Sequence, residues 1–87
     1  MPHVIIKFFD TALTDANKVA LARSLTQTLT ATLGCTAGAV SIALRPVQPA
    51  DWNEEVFVPD ISRRGTELIK MPDYAALAAP AQKEKES

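Results

Sequence analysis

TDANKVALARSLTQTLTATLG, residues 14–34, carries the period that decides the fold. Leu21, Leu25, Leu29 and Leu33 recur every four residues, and Val19 and Ala22 widen the stripe. Apolar residues at that spacing share one face of an α-helix, which must then turn towards a core. Thr14 is placed to cap the first turn, and Asp15 complements the positive end of the helix dipole. Gly34 supplies the C-terminal stop.

On either side of this helix the period changes from four to two. PHVIIKFF, residues 2–9, is β-branched and aromatic and reads as a strand. Val4, Ile6 and Phe8 fall on one face, and His3, Ile5, Lys7 and Phe9 on the other. The first face is wholly apolar and should meet the helix. Asp10–Leu13 is a loop, as is the stretch after Gly34. Residues 39–45 alternate again, with Val40, Ile42 and Leu44 opposed to Ser41, Ala43 and Arg45. Pro46 and Pro49 are expected to end this second strand, since proline cannot donate to a ladder. Strand, helix, strand is a βαβ unit, so the fold class is α/β (α+β) with the two strands parallel.

The second half is less regular. QPADW (48–52) leads into a short apolar segment, Val56–Val58, and Pro59 and Asp60 can open a short C-terminal helix through about Lys70. Gly65 weakens that helix and Pro72 stops it. Residues 1–78 read as a single domain, and the Ala-rich run ending in KEKES (79–87) as a flexible tail. Two strands are marginal alone, and their second face carries Ile5 and Phe9. The sheet is therefore expected to be extended by oligomerisation.

The bulk numbers set limits on partners. The 87 residues are 47% hydrophobic and 22% charged, with a mean hydropathy of +0.03, as in a folded globular chain. A net charge of -1 offers no basic face for nucleic acid. No apolar run approaches the roughly 20 residues that span a bilayer. Lys7 and Asp10 interrupt the apolar stretch near the N-terminus, so no signal peptide is expected there. Cys35 is the only cysteine, which suits a reducing compartment, and a cytoplasmic location is expected.

Ordinary catalytic sets are missing. One His and one Cys make no zinc spacing, and the three glycines make no phosphate loop. What stands out is Met1-Pro2, with Pro2 directly opening a strand. Removal of Met1 would leave a free secondary amine at a rigid position. An α-amine titrates near about 7.7–8.0 in model peptides, and desolvation in an apolar pocket favours its neutral form. Such an amine can act as a general base or as a nucleophile towards carbonyls. Met-Pro is also a common protein start, and the dipeptide alone does not separate these readings.

PHVIIK, the capped helix, SIAL (41–44), QPADW and KMPDY (70–74) together, over residues 2–75, resemble the tautomerase superfamily. They are most similar to the small dimeric 4-oxalocrotonate tautomerase-like proteins of the PptA type. The resemblance implies a β-α-β tautomerase fold whose subunits pair to extend the sheet. It implies a homodimer, with a hexamer the alternative. It also implies a cofactor-independent keto–enol isomerase that uses Pro2 as the catalytic base on a small-molecule substrate. The best-studied members carry an arginine in the loop after the first strand and another in the second strand. Here those places hold Thr11–Leu13 and Ser41. Arg45, further along the same face as Ser41, is either a substitute for the missing arginine or a solvated strand-end residue. The absent arginines disfavour dicarboxylates and favour a smaller or aromatic enol, such as a phenylpyruvate-like compound.

Trp52 falls where the family places an aromatic wall of the pocket; a core or interface tryptophan is the other reading. His3 reads as an interface or surface residue, with a proton shuttle the other reading, and Lys7 as structural or interfacial. Cys35 reads as inert, and Arg63 and Arg64 as a solvated pair, with steering of an anionic substrate the other reading. Phe57 and Tyr74 either line the pocket or pack. The candidate site is therefore Pro2 as base, with Ser41, Arg45 and Trp52 binding substrate and no cofactor or metal. Two further readings stay open. One is N-terminal-proline dehalogenation, decarboxylation or hydration on the same fold, and the other is a non-enzymatic oligomeric binding protein.

Overall fold

Residues 3–9 form β1 (His3–Phe9) and residues 41–47 form β2 (Ser41–Val47) in a computed structural model that describes residues 1–74. The strands run parallel, with His3 opposite Ser41, Ile5 opposite Ala43, Lys7 opposite Arg45 and Phe9 opposite Val47. Between them runs α1 (Asp15–Leu33). The chain is thus a small α+β fold with the β-α-β arrangement its periodicities call for.

Thr14 caps α1 more completely than one side chain would. Its Oγ1 accepts from the Asn17 N–H at 3.0 Å, and Asn17 Oδ1 accepts from the Thr14 N–H at 3.2 Å. Two of the orphan donors at the helix start are satisfied reciprocally, with Asn standing where Glu or Gln is usual. At the other end Gly34 takes the left-handed conformation (φ 70°), and its N–H donates to the Thr30 carbonyl. Thr14→Ala should destabilise the fold by about 1 kcal/mol. Urea unfolding would read this as a lower midpoint at unchanged slope.

Each face of the sheet meets a different helix. Lys18, Leu21 and Ala22 of α1 share a small cleft with Ile42 and Leu44 of β2. That places α1 over the face of Val4, Ile6 and Phe8. The opposite face is only partly covered by the chain after β2, with Ile5 and Phe9 left about half exposed. Trp52 meets Phe9, and Asp60 pairs with Lys7. Among the described residues only Val47 and Val56 are fully buried, and none of the α1 leucines is.

Two expectations are corrected. Pro46 lies within β2 rather than ending it. The Ser41 N–H donates to the Pro2 carbonyl at 3.2 Å, and the Asp10 N–H to the Val47 carbonyl at 3.1 Å. Odd-numbered β2 residues therefore bond to β1, and alternation points the Pro46 nitrogen at the open edge, where no ladder bond is lost.

The helix expected over Pro59–Lys70 instead begins ten residues earlier. A 3-10 turn, Pro49–Asp51, leads into a π-helix, Asn53–Ser62, with Pro59 inside it. In an α-helix the Pro59 ring would strike the Glu55 carbonyl four residues back. The wider winding avoids this. The Arg63 N–H reaches the Val58 carbonyl five residues back at 3.1 Å. Lys7 Nζ donates to the Glu55 carbonyl at 3.4 Å. Gly65–Glu67 form one further 3-10 turn, and residues 68–70 lie outside any helix. The tail expected at 79–87 lies outside the described residues.

Candidate active site

Pro2 stands immediately before β1, and the β-ladder holds its carbonyl against the Ser41 N–H. The backbone at Pro2 is therefore as firmly placed as the strand. Met1, ahead of it, is fully exposed. Parallel pairing sets Ser41 opposite His3, and His3 Nδ1 lies 2.6 Å from Ser41 Oγ. Sequence alternation puts these two residues on the right faces but does not pair them. A slip of two residues along the partner strand keeps every face and changes every neighbour.

Arg45 sits opposite Lys7, exposed, four residues beyond Ser41 and thus about 13 Å along the strand. It makes no ion pair among the described residues. Lys7 does. Its ammonium pairs with Asp60, and both groups are partly shielded from solvent. The ion pair ties the π-helix to the sheet.

Trp52 packs edge-to-face on Phe9, with ring centroids 5.0 Å apart and planes at 88°. Its indole N–H donates to the Tyr74 hydroxyl at 3.1 Å, and Tyr74 lies 5.6 Å from the Phe57 ring. These four aromatics line an open, largely apolar cleft of about 880 Å3, with Lys7 at its edge. An apolar cleft with one polar corner is the usual form of a small-molecule site. No feature of the sequence marks Tyr74 as the partner of Trp52, because the contact joins segments 22 residues apart.

The structure thus brings Ser41 to Pro2 and sets Trp52 elsewhere. Trp52 touches Phe9, the last residue of β1, which is about 23 Å from Pro2 along an extended strand. Of the remaining candidates, Cys35 is half-buried with its Sγ 3.8 Å from the Leu29 carbonyl. Arg64 and Glu67 form an exposed pair at 3.8 Å, worth little to stability. Among the described residues no three His, Cys, Asp or Glu side chains converge as a metal site would need. No described helix is long and apolar enough to cross a membrane.

No protein-family profile matches the chain. Curated relatives do. Tautomerase PptA of Cronobacter sakazakii is 40% identical over 74 residues, covering 85% of this chain and 97% of that one. Tautomerase PptA of Klebsiella pneumoniae subsp. pneumoniae is 43% identical over 75 residues, covering 86% and 99%. Tautomerase PptA of Escherichia coli O139:H28 is 35% identical over 75 residues, again covering 86% and 99%. A β-α-β chain with a proline at the head of its first strand, alike in sequence to these proteins along nearly their whole length, belongs to the tautomerase superfamily as a PptA-like member and is an enzyme of the isomerase class.

Proposed function

We propose that this tautomerase interconverts the keto and enol forms of a small 2-oxo acid, phenylpyruvate-like in size, with the Pro2 amine as the base and no cofactor. The observation that carries the reading is the position of Pro2. It heads β1 with its carbonyl held by Ser41, so an amine at this residue is fixed in space before substrate arrives. Neutral Pro2 takes a proton from the enol hydroxyl or the α-carbon and returns it at the other site. Polar groups beside it stabilise the oxyanion that develops between the two steps.

The aromatic wall of that pocket is Trp52 of a second copy. Within one chain Trp52 lies a strand length from Pro2, so a single subunit holds the base at one end of the sheet and the apolar cleft at the other. The surfaces that a second copy would cover are present: Ile5 is 45% exposed, Phe9 51% and Leu33 60%. Large apolar side chains left this open are unusual in a monomer with so few buried residues. The assembly is a homodimer in the cytoplasm, and the missing arginines keep dicarboxylates out.

The mechanism requires removal of Met1, because an amide nitrogen at Pro2 has no lone pair to offer. Two preparations distinguished by intact mass test this. The form lacking one methionine should ketonise enol-phenylpyruvate, and the form retaining it should not. Equal activity in both would exclude the Pro2 amine.

A further inference from the structure

Resting on Pro2 as the proton-transfer residue of the site, but narrowing its part to the α-carbon alone, we propose that His3 and Ser41 form a second proton-transfer group that serves the substrate oxygen in place of Pro2. The strand register sets the two residues opposite each other at the Pro2 end of the sheet, with His3 Nδ1 and Ser41 Oγ 2.6 Å apart. His3 points to the face opposite the Pro2 ring. The base, however, is a backbone atom and belongs to neither face. Ser41 is bound to that same residue through its own N–H, 3.2 Å from the Pro2 carbonyl oxygen.

Covalent reach then puts Ser41 Oγ no more than about 10 Å from the Pro2 nitrogen. Two contacts of about 3 Å at either end leave room for the two bonds that separate an enol oxygen from its α-carbon. That upper bound is long enough to admit one small enol between the groups.

The protons balance in the ketonisation direction. Ser41 Oγ accepts the enol proton and passes its own to His3 Nδ1, which in the Nε2–H tautomer the relay requires is a lone pair. The enol oxygen pair forms the C=O bond as the C=C pair takes a proton from the Pro2 ammonium. The substrate loses one proton from oxygen and gains one at carbon. His3 ends protonated and Pro2 neutral, and exchange with solvent between turnovers resets both. Imidazole is the side chain suited to this, because it both takes and gives a proton near neutral pH. The other charged groups of this face are Lys7, held by Asp60 of the π-helix, and Arg45. Each lies four residues along its strand from the pair.

Ser41→Ala and His3→Asn test the proposal in the full chain, the Asn retaining a polar atom near Nδ1 without its proton exchange. Each should lower kcat for enol-phenylpyruvate about 10²-fold with little change in KM. The double variant should be no slower than the worse single one, as for two members of one relay. A wild-type kcat in His3→Asn would overturn the relay, with Pro2 untouched as the proton-transfer residue. A second readout needs no turnover. The 15N shifts of the His3 ring should report a proton on Nε2 in the parent chain and a tautomer mixture in Ser41→Ala. Identical shifts in both would overturn the pair. An inactive parent chain with that signature intact would instead overturn the tautomerisation of this substrate, and the relay with it.

Discussion

Replacing Pro2 by alanine lowers kcat for enol-to-keto conversion of phenylpyruvate by about 10²- to 10⁴-fold, the usual worth of a placed general base. The variant still presents an α-amine after Met1 is removed, so the loss measures position and amine type rather than the bare presence of nitrogen. Proline's ring locks rotation about N–Cα and so the direction of the nitrogen lone pair, whereas the terminal amine of alanine turns freely about that bond. The fold is spared, because the bond from the Ser41 N–H runs to the residue-2 carbonyl whatever the side chain. Far-UV circular dichroism should therefore match the parent chain while stopped-flow absorbance of the enol shows the loss. A parent-like kcat would end the role given to Pro2.

The second large effect is a recovery. Trp52→Ala removes the ring that forms the cleft wall with Phe9, and it should raise KM about tenfold or more through lost apolar contact. Mixed with Pro2→Ala subunits and allowed to exchange, it should regain activity. A hybrid dimer pairs the sound Pro2 of one subunit with the sound Trp52 of the other, giving one intact site of two. Since half of a random mixture is hybrid, roughly a quarter of the sites return. Light scattering on the same samples should show dimers throughout. If base and wall belonged to one chain, no mixture could recover anything. If a monomer were found, the shared site would fall with it.

The residues differ in how much they disclose on their own. Leu21, Leu25 and Leu29 announce α1 because a four-residue period is local, and so are the Thr14 and Gly34 signals that bound it. Asn17 escapes notice because the usual partner in a capping box is Glu or Gln. Pro46 and Pro59 mislead for one reason. Both have the local signature of breakers, and both are tolerated by arrangements that lie outside the local sequence. Pro46 depends on which edge of β2 is open, and Pro59 on a wide helix whose Glu55 carbonyl takes the Lys7 ammonium.

The candidate site divides along the same line. Pro2 can be singled out from its place in the chain, since a proline that follows Met1 and heads a strand is a local fact. Lys7, His3 and Trp52 cannot be assigned in that way. Their partners, Asp60, Ser41 and Tyr74, lie 53, 38 and 22 residues away, and nothing in the alternation of a strand specifies register.

By itself, then, the amino-acid sequence determined the β-α-β order, the faces of both strands, the ends of α1 and the place of Pro2 at the head of β1. Each comes from periodicity or from a single residue's backbone. Only the tertiary structure decided that Ser41 and His3 meet beside Pro2 while Trp52 stands at the far end of the sheet. The physical reason is that parallel pairing runs both strands the same way. The chain leaving β2 must therefore emerge at the end opposite to the one where β1 begins.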